Sequence, residues 1–185
     1  MIVRNHMAIL RNLRNISAAD VSKQHMDKLE RALKHDSWSK SRLLPFRFIS
    51  AARHAGPLAQ AVSDAMLLAV KDHPRLTGMT YFVVDVSGSM DSALSAKSEL
   101  KRFEAAGALA VLLREICEGC RVFTFSNGLV EVMNLRGIGL MEGIANSQPH
   151  GGTYLAGSLG ALAQNTPRAE RIIVVTDEQA HDGIV

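Results

Sequence analysis

Two runs of four β-favouring apolar residues, Tyr81-Phe82-Val83-Val84 and Ile172-Ile173-Val174-Val175, constrain this chain more than any other feature. A strand with one wet face alternates polar and apolar residues, whereas an unbroken apolar run marks a strand covered on both faces, as in a parallel sheet between helices. Between the two runs, Arg121 to Phe125 and Leu129 to Met133 flank Asn127-Gly128 and read as a hairpin. Lys97 to Cys117 reads as a helix with Leu100, Phe103, Gly107, Ala110, Leu113 and Cys117 on one face, stopped by Gly119. A second helical stretch runs from about Leu155 to Gln164. The order strand, helix, hairpin, loop, helix, strand gives an α/β sheet with helices on both faces.

The preceding residues have a different grammar. Ile2, His6, Ile9, Leu10, Leu13 and Ile16 recur at helical spacing. Ser17 can cap a following helix with Asp20 in its first turn and Val21, Leu29 and Leu33 facing inward. Asp36 or Ser37 starts a short third element that ends before Pro45, because the residue preceding a proline is pushed out of the helical region. Pro45 and Pro57 each open a further helix, Pro45 to Ala55 and Pro57 to about Asp72, with Gly56 as the stop between them. Short helices with tight turns and no strand pattern read as stacked helical hairpins. The expected division is a helical part, 1–76, and a sheet-bearing part, 77–185.

Charge divides along nearly the same line. Residues 1–79 carry 13 basic and 6 acidic side chains, a balance of +7, while residues 80–185 carry 8 and 12, a balance of −4. The basic half is the candidate for polyanions, unless its Lys and Arg only solvate outer helix faces. The longest strongly apolar run, Ala105 to Leu113, falls far short of the roughly 20 residues that span a bilayer, so no membrane partner is expected. No secretory signal pattern precedes it. Two cysteines, Cys117 and Cys120, cannot build a disulfide framework, and a cytoplasmic location is expected.

Ligand sites of parallel sheets lie beyond the carboxyl ends of the strands, which here lead into Asp85-Val86-Ser87-Gly88-Ser89 and Thr176-Asp177. The first loop offers one carboxylate and two hydroxyls, with Gly88 expected to let the backbone turn closely enough for them to converge. Such hard oxygen donors, with room for water, suit Mg²⁺ better than a full protein cage does. Thr153, in Gly151-Gly152-Thr153, can add a third hydroxyl. The competing reading is that these Ser and Thr only cap turns and helices.

Asp85-x-Ser87-x-Ser89 after one apolar strand, a later Gly-Gly-Thr, and Thr176-Asp177 after another resemble the metal-ion-dependent adhesion site (MIDAS) of von Willebrand factor A domains. The resemblance implies that Ser87, Ser89 and Thr153 ligate Mg²⁺, Mn²⁺ or Ca²⁺ directly or nearly so. Asp85 and Asp177 would act largely through water, and one coordination position would be left for an acidic group of a partner protein. Upstream, Met7-Ala8-Ile9-Leu10-Arg11-Asn12-Leu13-Arg14-Asn15 and Leu43-Leu44-Pro45-Phe46-Arg47-Phe48 resemble the end of the TROVE helical module of Ro ribonucleoproteins. That family implies HEAT-like helical repeats forming a ring closed by the A domain, binding of small noncoding and misfolded RNA, and no catalysis. Against its pattern the chain reads as an internal piece, its sheet truncated after Asp177. The run Ile172 to Thr176 would then be an edge strand open to self-association or to a partner chain.

Other signals are weaker. Cys117-Glu118-Gly119-Cys120 has zinc or redox spacing without a second ligand pair, so packed, quiet thiols are expected. Trp38, beside Lys40 and Arg42, could stack on a base, but insertion between helices is favoured. The opposing functional class is a Mg²⁺-dependent phosphotransferase or hydrolase using Asp85 as phosphoryl acceptor. It is disfavoured because Ser87 stands where haloacid-dehalogenase-type phosphatases carry a second Asp, and neither a phosphate loop nor a nucleophile elbow is present.

Overall fold

The computed structural model describes residues 5–19, 21–96 and 98–183. The chain forms two compact units, the first ending at Pro74 and the second beginning at Arg75.

The first unit is helical: α1 (His6–Ala18), α2 (Lys23–Leu33), a 3-10 turn (Asp36–Lys40), α3 (Pro45–Ala52), a second 3-10 turn (Gly56–Leu58) and α4 (Ala59–Val70). Pro45 sits in the first turn of α3, where its missing N–H has no partner to lose, and Gly56 takes φ +51° between α3 and α4. Ser17 does not cap α2, because α1 continues through it to Ala18; the residue before α2 is Ser22, whose hydroxyl bonds His25 Nδ1 at 2.7 Å. Ile2 and Asp20, assigned to helices from the sequence, lie outside the described residues. The unit is organised around Trp38, which is fully buried between the rings of His6 and Phe48 and donates its indole N–H to Ala32 O at 2.9 Å. Base stacking by Trp38 is thereby excluded, since no face of the ring reaches solvent.

The second unit is a four-stranded sheet in the order β3-β2-β1-β4, with β1 (Leu76–Asp85), β2 (Cys117–Phe125), β3 (Leu129–Glu131) and β4 (Arg171–Val175). β1 pairs in parallel with both β2 and β4, and β3 returns antiparallel to β2 as the Asn127-Gly128 hairpin requires. Tyr81, Val83, Phe123 and Phe125 point to one face, where Leu162 of α7 (Leu155–Asn165) completes the cluster with Leu155 and Leu159. The opposite face of β1 and β2, carrying Phe82, Val84, Val122 and Thr124, packs on α5 (Arg102–Ile116). This is a von Willebrand factor A-like α/β sheet preceded by helices, the fold class that the strand pattern and motif implied.

Three local readings change. Helix α5 begins at Arg102 rather than Lys97, which itself lies outside the described residues. Ahead of it, Ala93 and Lys101 pair as a β-bridge, and Glu104 reaches back to the Lys101 N–H at 2.7 Å. These bonds give the backbone a defined alternative to another helical turn. Gly119 is not a helix stop but lies inside β2, where a Cβ would come within 3.0 Å of Met79 Cε on the neighbouring strand. The segment read as loop after the hairpin contains α6 (Gly137–Ala145), packed on α5. Its glycines mask the helical period, yet Gly143 is there for proximity, since a Cβ would lie 2.8 Å from Leu135 Cδ1.

Candidate metal centre

The sheet register brings the candidate residues to one end. Val84 pairs with Thr124 on one side and Val175 on the other, so Asp85, Ser126 and Thr176 all leave the sheet at the carboxyl edge of its three parallel strands. Asp85 is fully buried and both its oxygens are engaged: Oδ1 accepts the Ser87 N–H at 2.8 Å and Oδ2 accepts the Thr176 hydroxyl at 2.6 Å. These bonds fold the Asp85–Ser89 loop back on itself and tie it to the end of β4. The hydroxyls of Ser87 and Ser89 then lie 3.2 Å apart, Ser87 buried and Ser89 partly open.

Thr153, also buried, arrives on a loop held by backbone bonds. Gly88 N–H donates to Gly151 O at 3.2 Å, joining that loop to the Asp85–Ser89 turn. Ser126 clamps it from the end of β2, accepting from Gly151 N–H at 2.8 Å and donating to Gly152 O at 2.9 Å. Asn127 Oδ1 accepts the Gly152 N–H at 2.8 Å. His181 closes the other side: its N–H donates to Thr153 O at 2.8 Å and its Nδ1 accepts the Thr153 N–H at 3.3 Å. Gly88 itself is not conformationally obliged, contrary to the sequence reading. It has no positive φ, and a Cβ would meet His150 O at an ordinary 3.5 Å.

Asp177 follows Thr176, and its side chain is 9% exposed. Its Oδ2 accepts from Arg102 Nη1 at 2.6 Å, whereas its Oδ1 is buried with no hydrogen-bond partner among the described residues. An unmatched buried carboxylate oxygen is costly and marks a place where a cation or water belongs. Among the described residues no three His, Cys, Asp or Glu side chains gather into a cage. The donors on offer are hydroxyls and carboxylates, a hard set that fits Mg²⁺ or Mn²⁺ rather than zinc.

Sequence reasoning selected Asp85, Ser87, Ser89, Thr153 and Asp177, and the fold carries all of them on three mutually hydrogen-bonded loops. It missed the residues that hold those loops together: Ser126, Asn127, His181 and Arg102. Ser126 and Asn127 were within reach, since they leave β2 at the same edge. The Cys117-Cys120 pair lies at the start of β2, away from this edge, with both thiols free. Burial, reinforced by the neighbouring Cys117, pushes the Cys120 thiol up to about 11.

The TROVE domain matches residues 4–81. No curated protein matches it by sequence. Among solved structures, it is similar to the crystal structure of the Deinococcus radiodurans RO (RSR) protein, with a TM-score of 0.71 at 19% identity over 97% of this chain and 41% of that one. The chain therefore spans about two fifths of the length of that structure. At this identity the likeness shows the fold alone, and the TROVE match covers the helical unit and the first part of β1. No helix among the described residues is long and apolar enough to cross a membrane.

Proposed function

We propose that this chain is a non-enzymatic, metal-dependent binding module of the Ro type, acting in the cytoplasm. Ser87, Ser89 and Thr153 would hold a divalent cation, Mg²⁺ or Mn²⁺, with Asp85 and Asp177 behind them. The bound ion would supply a Lewis-acidic position for the carboxylate of an acidic partner. The observation that carries this reading is the convergence of three loops, from the ends of β1 and β4 and from before α7, joined by the Asp85–Thr176 and Gly88–Gly151 bonds. Calorimetry with Mn²⁺ tests it. Ser89→Ala should weaken binding at least tenfold without loss of fold, and equal affinities would remove the assignment. Asp85→Ala is the poorer probe, because it strips the Thr176 hydroxyl and the Ser87 N–H of a buried acceptor.

Phosphoryl transfer through Asp85 is the weaker reading. A nucleophilic carboxylate needs a free lone pair facing its substrate, and both Asp85 oxygens are committed within a fully buried side chain. A phosphate-ester turnover assay with Mg²⁺ separates the two, with no turnover expected.

For the helical unit, the TROVE match and the +7 balance of residues 1–79 favour contact with small noncoding RNA. Affinity should fall by about 0.7 log units per log unit of salt for each single-strand phosphate neutralised, and a flat profile would argue against RNA binding. A strand from a second copy or another partner would add along β4. That strand pairs only with β1 among the described residues, and its Ile172 is 51% exposed.

A further inference from the structure

The residue bonded to the outermost carboxylate of this centre is a cation belonging to the chain itself. Arg102, the first residue of α5, donates from Nη1 to Asp177 Oδ2 at 2.6 Å. The pair is asymmetric in burial: the Asp177 side chain is 9% exposed and that of Arg102 is 37% exposed. Asp177 thus has one oxygen matched by a guanidinium at the solvent side and one buried oxygen with no partner among the described residues.

Arg102 is anchored by the segment that follows the serine loop. Its N–H donates to Ser92 O at 3.0 Å, and the Lys101 ammonium pairs with Asp91 at 2.7 Å, at the end of the short turn that begins with Gly88. The Ala93–Lys101 bridge closes the excursion between them. The backbone of Arg102 is therefore held by the stretch of chain that follows Ser87 and Ser89, and its guanidinium is placed by the bond to Asp177.

A fixed positive charge beside a divalent-cation site does two things. It neutralises a carboxylate that would otherwise add to the attraction for the metal, and it repels the metal directly. Both lower affinity. A carboxylate from outside has the opposite relation to Arg102, since a guanidinium with a free fork pairs with it bidentately.

We propose that Arg102 is a built-in competitor for the divalent cation: by neutralising Asp177 it holds the metal affinity of the site down, so that occupancy depends on an acidic partner sharing the positive charge. This rests on the metal-binding reading above. Removing the charge at position 102 raises metal affinity, whereas moving or shortening the side chain with the charge kept does not. The metal-free protein responds in the opposite sense, because a buried Asp177 without its counter-ion is destabilising.

The test is Mn²⁺ calorimetry on the wild-type chain, Arg102→Gln and Arg102→Lys, with melting temperatures measured with and without Mn²⁺. Arg102→Gln should bind Mn²⁺ about tenfold more tightly than wild type, the scale of a unit-charge repulsion in a solvated site. It should melt lower than wild type without metal and gain more from Mn²⁺, while Arg102→Lys should stay within about threefold of wild type. If the wild type binds Mn²⁺ and Arg102→Gln binds it equally or more weakly, the competitor role is wrong and the metal site stands. If neither wild type nor Arg102→Gln binds Mn²⁺, the metal reading fails and takes this inference with it.

Discussion

The Thr176 hydroxyl provides the sharpest test of how the site is built, because it joins β4 to a carboxylate with no exposure to solvent. It donates to Asp85 Oδ2 at 2.6 Å and accepts the Glu178 N–H at 3.2 Å. Thr176→Val keeps the shape, so no cavity term arises, but it leaves a buried carboxylate oxygen without its donor. A hydrogen bond to a charged group contributes about 1.5–3 kcal/mol, and the stranded oxygen bears its desolvation cost. The expected loss is about 2 kcal/mol. With a urea dependence of about 1–3 kcal/mol per molar, the transition of the second unit should move down by about 0.7–2 M. Urea unfolding followed by far-UV circular dichroism measures this, while Trp38, the single tryptophan, reports the helical unit separately. Thr176→Ser retains the donor and gives up one methyl, about 0.8 kcal/mol or less. If Thr176→Val lies within 0.5 kcal/mol (about a quarter of the expected loss) of wild type, the Asp85–Thr176 bond is not holding the two strand ends together.

Three further outcomes are expected. Burial, and then the nearby His35, holds the His6 imidazole below its usual value of 6.5. The unfolded chain therefore takes up the proton first, and the stability of the helical unit is full above pH 6.5 and declines as pH falls below it. His6→Gln should flatten that decline in tryptophan-monitored melts. Cys120, pushed from 9.0 to about 11, stays protonated while the unfolded thiol ionises, so its contribution is lost as pH rises between those values. Iodoacetamide at pH 8 should label it far more slowly in the folded chain than in urea, and equal rates would contradict its burial. Gly88→Ala should fold and bind Mn²⁺ like wild type, since the added Cβ meets His150 O at 3.5 Å; a severe loss in either measurement would mean that this loop demands glycine after all.

What the sequence made legible and what it hid follow from the range of the interactions concerned. The runs Tyr81–Val84 and Ile172–Val175, the Asn127-Gly128 turn and the prolines at positions 45 and 57 each act through neighbours in the chain, so their patterns translate directly into strands, hairpin and helix starts. Asp85, Ser87, Ser89 and Asp177 were legible for a related reason, since whatever follows a parallel strand must emerge at the ligand edge, while Thr153 was legible only through its Gly-Gly-Thr pattern. Helix α6 was not, because Gly137, Gly139 and Gly143 break its pattern and the demand for Gly143 comes from Leu135. The start of α5 was displaced by the Ala93–Lys101 bridge and the Glu104 return bond, which compete with another turn of helix. The second layer of the site belongs to the same class. Ser126 acts on a loop 25 residues downstream and Arg102 on a carboxylate 75 residues away. No local pattern records either link. The five oxygen-bearing residues could therefore be chosen from the sequence, whereas the Arg102–Asp177 pair became visible only when the start of α5 met the residues that follow β4.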